Sequence, residues 1–251
     1  MKITMIAAAV GSCLAAVTAN AQFTGKLVYQ IVKPTVILTM TYYQNGNNVH
    51  VEAYSMEVKK GVVDSSTFSV QDTILFDLSK GTETHLQRQT GNAIISPYTM
   101  TILAQTRYGQ MSTPVTVQQA ETDTVNGYSC THYIENSTGA KPFGSTRRDL
   151  WVTNALGTPG IAVMGSYLYY TPGSQPLQAL YAAGGTGVIV RAKISAIGQT
   201  AVMNLIGVDT KTPGAALFQV PSNYVIIDRS GYVAPKLGVK APPPLKNIPK
   251  Q

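Results

Sequence analysis

The chain is poor in charge: only 12% of its 251 residues are Asp, Glu, Lys or Arg, while Thr, Ser, Gln, Asn and Tyr are plentiful. That balance argues against a charged cytosolic helical protein and suits an extracytoplasmic β protein. Cysteine is scarcer still, with Cys13 in an apolar leader and Cys130 far along the chain. If the leader is removed, Cys130 stands alone, no intramolecular disulfide forms, and the core alone must hold the fold. The three histidines (His50, His85, His132) occur singly, without paired ligand spacing or a cysteine set, which excludes an ordinary structural zinc site. There is no Gly-x-Ser-x-Gly elbow and no phosphate-binding glycine loop opening a helix. The glycine-rich run Gly184–Gly187 follows a predicted helix and leads into a strand, so it reads as a turn. Acidic residues are sparse, and Asp72 and Asp77 flank a strand as ordinary surface groups. These absences point to a non-enzymatic protein with no cofactor and no metal.

Long apolar runs are also missing, since none reaches the ~20 residues a spanning helix needs. The leader "MKITMIAAAVGSCLAAVTANAQ" instead has the parts of a secretory signal: Lys2, the apolar core Ile3–Val17, and the Ala-x-Ala site at Ala19–Ala21. Residues 1–21 are therefore expected to leave as a signal peptide, and the protein to be exported, periplasmic or extracellular. A rival is a lipobox at Val10–Cys13 with lipidation of Cys13; it leaves a very short apolar core, and the signal peptide is preferred. Formal net charge is +7, with Lys236, Lys240, Lys246 and Lys250 clustered at the end. A solvated basic tail explains this better than a nucleic-acid site, because no motif or aromatic–basic cluster supports one. A peripheral contact with anionic lipid remains compatible.

What the sequence does contain is period two. Phe23, Leu27, Tyr29 and Ile31 alternate with Lys26 and Gln30; Val36, Leu38, Met40 and Tyr42 with Thr39 and Thr41; Val188, Val190, Ala192 and Ile194 with Arg191, Lys193 and Ser195. Such segments are half-buried antiparallel strands. Further strands are expected at 49–58, 68–78, 115–122, 128–135, 149–153, 161–170 and 201–208. Turn chemistry separates them at 45–48, 79–82, 126–127 and 158–160. A helix is expected from Ser174, with Leu177, Leu180 and Tyr181 on one face and Gly184 as its stop. Residues 96–109 suit a helix or a strand equally. One β-rich domain, 22–234, precedes a Pro/Lys-rich tail, 235–251, whose prolines deny it ladder donors.

In the strand after Asn126-Gly127, Tyr128, Cys130, His132 and Ile134 alternate with Ser129, Thr131, Tyr133 and Glu135. Cys130 on the more apolar side reads as a small buried hydrophobe, with nothing nearby to lower its pKa. The stretch "GSYLYYTPG" puts Tyr167 and Tyr169 on one face, either as walls of a groove or as cross-strand pairs that stabilise the sheet.

Three ordered segments carry a resemblance. Gly127, Tyr128, Cys130 and Tyr133 form a Gly-Tyr-x-Cys-x-x-Tyr strand; Trp151–Thr153 form Trp-Val-Thr; and Phe218, Val220, Pro221 and Tyr224 form Phe-x-Val-Pro-x-x-Tyr. With the opening "FTGKLVYQI", they resemble the domain-of-unknown-function 4412 family of secreted bacterial proteins over roughly residues 23–226. The chain departs from that pattern in its Gly/Tyr-rich stretch 157–187 and in its tail. The family is similar to the lipoprotein-carrier and sigma-regulator fold. The resemblance therefore implies a mainly β protein: an antiparallel open half-barrel, or cupped sheet, with one or two short helices. It also implies a concave apolar face suited to a lipid, acyl chain or lipoprotein partner, with Trp151, Tyr167 and Tyr169 as candidate lining residues. The alternative is a structural or interaction protein of the envelope whose interior its own side chains fill.

Overall fold

The computed structural model describes residues 22–98, 115–138, 145–163, 169–170, 174–196 and 199–231. The first strands form where period two is strongest: β1 (Gly25–Val32), β2 (Val36–Asn45) and β3 (Asn48–Lys59). A turn at Gly46, with φ of 56°, joins β2 to β3. The next hairpin turns at Lys60 and Gly61, whose φ values of 52° and 79° suit a two-residue type I′ turn, and leads into β4 (Val62–Asp77). Then come β5 (Thr82–Gln87), β6 (Asn92–Pro97) and β7 (Val115–Val125). Asn126 and Gly127, with φ of 52° and 82°, make another such turn into β8 (Tyr128–Thr138). β9 (Ser145–Thr153), the short β10 (Ala162–Val163) and β11 (Tyr169–Tyr170), and the helix α1 (Gln175–Ala182) follow. The chain continues through β12 (Val188–Ala196), β13 (Gln199–Asp209), a 3-10 turn at Ala215–Phe218 and β14 (Val225–Asp228).

Twelve of these strands form one sheet in the order β14-β6-β5-β4-β3-β2-β1-β13-β12-β9-β8-β7. Neighbours are antiparallel except β14, which lies parallel to β6. Because β14 and β7 do not pair, the sheet is large, open and cupped rather than closed into a barrel.

Pairing registers define its two faces. One row runs Tyr133, Leu150, Ala192, Met203, Ile31 and Leu38 across six strands, and every member is buried. The neighbouring row runs His132, Trp151, Arg191, Asn204, Gln30 and Thr39, on the opposite side of the same strands. The first row lies on the helix-bearing, inner face: Gly185 packs so tightly that an added Cβ would meet both Leu180 of α1 and Tyr133.

Over the inner face lie α1, which buries Pro176, Leu177 and Leu180, and the segment ending in Ile161, Ala162 and Val163. Buried Gln44 fixes that segment by accepting a hydrogen bond from Gly160 N at 2.9 Å and one from the Tyr42 hydroxyl. The outer face is crossed at one end by residues 210–224. Val220 and Tyr224 pack there on Leu75, Leu86 and Ala93, and the Asn45 side-chain amide donates to the Pro213 carbonyl at 3.3 Å.

Several expectations change. The stretch 161–170 is not one strand: β10 and β11 pair antiparallel with each other, so the chain doubles back. Gly165 and Ser166 between them are turn formers. β5, "TETHLQ", has one large apolar residue and no readable alternation; its pairing with β4 and β6 supplies the order. In β8 the inner face carries Tyr133 and Glu135, not Cys130 and His132, although Cys130 is buried. Both faces of that strand are covered, so alternation of polarity could not tell them apart. Of the segment 96–109, Ser96 and Pro97 end β6 and the part beyond Tyr98 lies outside the described residues. The expected signal peptide, 1–21, and the whole tail, 235–251, lie outside them as well.

Candidate functional site

The inner face is a continuous apolar surface built by many strands. At its centre Met40 and Tyr29 pair across β2 and β1, flanked by Leu27 with Tyr42 and by Ile31 with Leu38. Val49, Val51 and Ala53 extend it on β3, and Met203, Ala192 and Leu150 extend it the other way. These residues come together because each strand contributes alternate positions to the same side. The tyrosines supply large apolar area with a polar tip. Burial pushes the Tyr29 and Tyr42 hydroxyls well above the ordinary phenol range, so both stay neutral.

One charged pair interrupts the apolar surface. Glu135 and Arg148 face each other in adjoining strands, pair side chain to side chain, and are 0% and 3% exposed. Two ions so deeply buried must stay paired, because each alone would carry an uncompensated desolvation cost.

The sequence candidates separate on folding. Trp151 alternates with Leu150 and Val152, both core residues, and so faces away from the inner surface. Its indole stacks on His132 at 4.6 Å between centroids, with only 4° between planes, and the Arg191 guanidinium lies 5.4 Å from the indole ring. Trp151 is thus an outer-face residue, because its position in β9 has the opposite parity to that of Leu150. Tyr169 is placed by its backbone in β11 opposite Val163, and Tyr167 lies outside the described residues. Of the three rings, only that of Trp151 is placed by the described residues.

Around Trp151 the outer face is polar. His132 lies between two carboxylates, with Nδ1 3.3 Å from Glu121 and Nε2 3.2 Å from Asp149. Arg147 holds Asp149 through two N–H···O contacts at 2.9 and 3.1 Å. Burial works to raise the Asp149 carboxyl's pKa, but Arg147 and His132 outweigh it and the net shift is downward. These groups are tied to one another in a strand-spanning network.

Cys130 is a free thiol, 1% exposed, donating to the Tyr128 carbonyl at 3.4 Å. Burial raises its pKa, which leaves it protonated and unreactive as a nucleophile. Among the described residues no group of three His, Cys, Asp or Glu side chains is gathered to hold a metal. No helix of the described residues is long and apolar enough to cross a membrane.

Sequence reasoning missed one feature entirely, a cavity on the outer face beneath residues 216–224. Its only signal was the motif "LFQVPSNY", whose apolar residues fit no strand period.

Comparison with known proteins follows this geometry. Residues 23–224 match the family described as a domain of unknown function, DUF4412, and the chain belongs to that family. No curated protein sequence matches it. Among solved structures it is similar to LprF from Mycobacterium bovis, at 11% identity and a TM-score of 0.33, covering 80% of this chain and 90% of the other. It is also similar to a domain described as an outer membrane lipoprotein-sorting protein from Vibrio parahaemolyticus. There the identity is 6% and the TM-score 0.30, with 77% and 88% of the two chains covered.

Proposed function

We propose that this chain is an exported, non-enzymatic envelope protein that takes an acyl chain or similar hydrophobic group against the inner face of its sheet. The observation that carries this reading is the continuous apolar row from Tyr133 to Leu38, six strands wide, with a light cover. α1 has eight residues, no side-chain cap at Ser174 and no charged residue at either end to favour its dipole. Isolated helices of that length are marginal, so α1 stays helical only because Leu177 and Leu180 are packed. Among the described residues, the helical part of the cover is therefore the part that an incoming chain would displace. An incoming chain would recover the exposed area at roughly 0.8 kcal/mol per methylene, before association costs. Tyr167 and Tyr169 are proposed to contact the bound chain.

Titration of the exported protein with a fluorescent C16 fatty acid tests this. Saturable binding of one probe per chain is expected, weakened by Leu180→Ala or Tyr169→Ala and unchanged by Trp151→Ala on the outer face. Absence of saturable binding by folded protein rejects the carrier reading. The second reading would then hold, a structural or interaction protein whose interior is its own side chains. It is favoured by the 0% exposure of Met40, Tyr42, Val49, Val51, Leu150, Ala192 and Met203. Export itself is tested by intact mass. A chain starting at Gln22 is expected, whereas a diacylated chain starting at Cys13 would make it a lipoprotein.

A further inference from the structure

The outer face carries a second site, independent of the acyl reading. We propose that the cavity between residues 216–224 and strands β3 and β4 binds a small primary ammonium compound with an apolar body. The cavity is about 480 Å³, within the usual range for small-ligand pockets. The polar side chains of Arg88, Gln219 and Asn223 line it, and its strand-borne wall carries His50 and Glu52, two apart on β3, and Thr73, directly opposite Glu52 on β4. Their placement on one face is fixed by the strand register.

Two of them, His50 and Thr73, carry a buried polar atom with no hydrogen-bond partner. His50 Nδ1 lies 2.7 Å from the Leu217 carbonyl, which can only accept, so Nδ1 carries the proton and the neutral ring leaves a lone pair on Nε2. Burial, which outweighs the nearby Glu52, lowers the His50 pKa and keeps the ring neutral. His50 Nε2 is 3.2 Å from Glu52 Oε1 but lacks the alignment of a hydrogen bond, and two acceptors face each other there. Thr73, 3% exposed, has a buried hydroxyl with no partner at all. Buried polar atoms are ordinarily paired, so two orphans on one cavity mark a place where something else binds.

An ammonium group matches that demand. It carries three donors and no acceptor, and its charge suits the Glu52 carboxylate. A hydroxyl supplies one donor, and a metal ion finds no three-ligand set among the described residues. The remaining walls, Leu75, Leu86, Leu217 and Tyr224, would hold an alkyl or aryl body. Glu52 is the one carboxylate among the lining residues and Arg88 lines the cavity too, so a second ammonium group would find no carboxylate of its own, which favours monoamines.

Isothermal titration of the full exported chain with phenethylamine tests the proposal, with 2-phenylethanol as the same body lacking the ammonium. Saturable one-to-one binding of the amine and none of the alcohol is expected. Glu52→Gln should weaken the amine roughly tenfold, the loss expected for a charge-assisted contact. Thr73→Val, which keeps the shape, should weaken it less, with melting temperatures confirming that both variants fold. No binding, equal binding of the alcohol, or unchanged affinity in both variants would show a cavity filled by water only. Fatty-acid titration of the same samples reports on the inner face separately, so either reading can fail without the other.

Discussion

In the inner row Tyr133, Leu150, Ala192, Met203, Ile31 and Leu38 are all under 5% exposed, and each touches only its neighbours in the core. One residue along the same strands lie His132, Trp151, Arg191, Asn204, Gln30 and Thr39, where Trp151 stacks on His132 and under Arg191, and His132 reaches Glu121 and Asp149. The same backbone ladder thus carries two different kinds of stability. The inner row relies on exclusion of water, so damage there scales with the volume or charge left uncompensated. On the outer row the side chains are more polar and, at Trp151, Arg191 and Gln30, reach water, which can replace part of what is lost.

The sharpest break of that contrast is Glu135→Leu. It leaves Arg148 buried on the inner face without its paired carboxylate, and destabilisation of about 3–5 kcal/mol is expected in urea unfolding. A loss below about 1 kcal/mol would show that water reaches this pair. Next, Leu150→Ala and Trp151→Ala compare the two faces at adjacent positions of one strand. Leu150→Ala should cost about 3 kcal/mol through its cavity. Trp151→Ala removes a stack and a cation–π contact, and about 1–2 kcal/mol is expected. If the larger side chain costs more, the assignment of faces is reversed.

How much of this was legible in the sequence depends on how wet each face is. β1, β2 and β12 have one dry side, and their alternation predicts them nearly to the residue. Asn126-Gly127 likewise announces its turn, whereas Lys60-Gly61 places a lysine at positive φ, which no propensity favours. Parity along a strand does not say which side the helix will cover, and this is why Trp151 was expected on the inner face. The amine site was illegible for a further reason. It needs Glu52 opposite Thr73, just before an irregularity between Glu52 and Tyr54, together with a segment more than 160 residues away.

Cys130 is where the outer side of a strand most resembles the inner. It is buried among core residues, though its neighbour His132 lies against the Glu121 and Asp149 carboxylates. Cys130→Ala should cost about 1 kcal/mol, as the removal of one small buried group does. A maleimide reagent is expected to label the thiol only after denaturation. Rapid labelling of native protein would place Cys130 with the exposed outer row instead.

The smallest expected effect belongs to Asp77, at the end of β4 on the outer side. Burial works to raise its pKa, but Lys80 at 2.8 Å and hydrogen bonds from Ser79 and Lys80 outweigh it and bring it down to about 2. Since the folded value lies below the ordinary 3.8, the folded state binds this proton less readily than the unfolded chain. Its contribution is therefore fully present above pH 4 and fades as pH falls through about 2. Lys80 is largely exposed, so solvent screening limits the effect to at most about 1 kcal/mol. Asp77→Asn should lower stability by that amount at pH 6 and by almost nothing at pH 2, read as the difference between the two denaturation curves. A difference that stayed constant with pH would mean that the loss is one of shape and hydrogen bonding rather than charge. The outer face would then be held together at this point in the same way as the inner one.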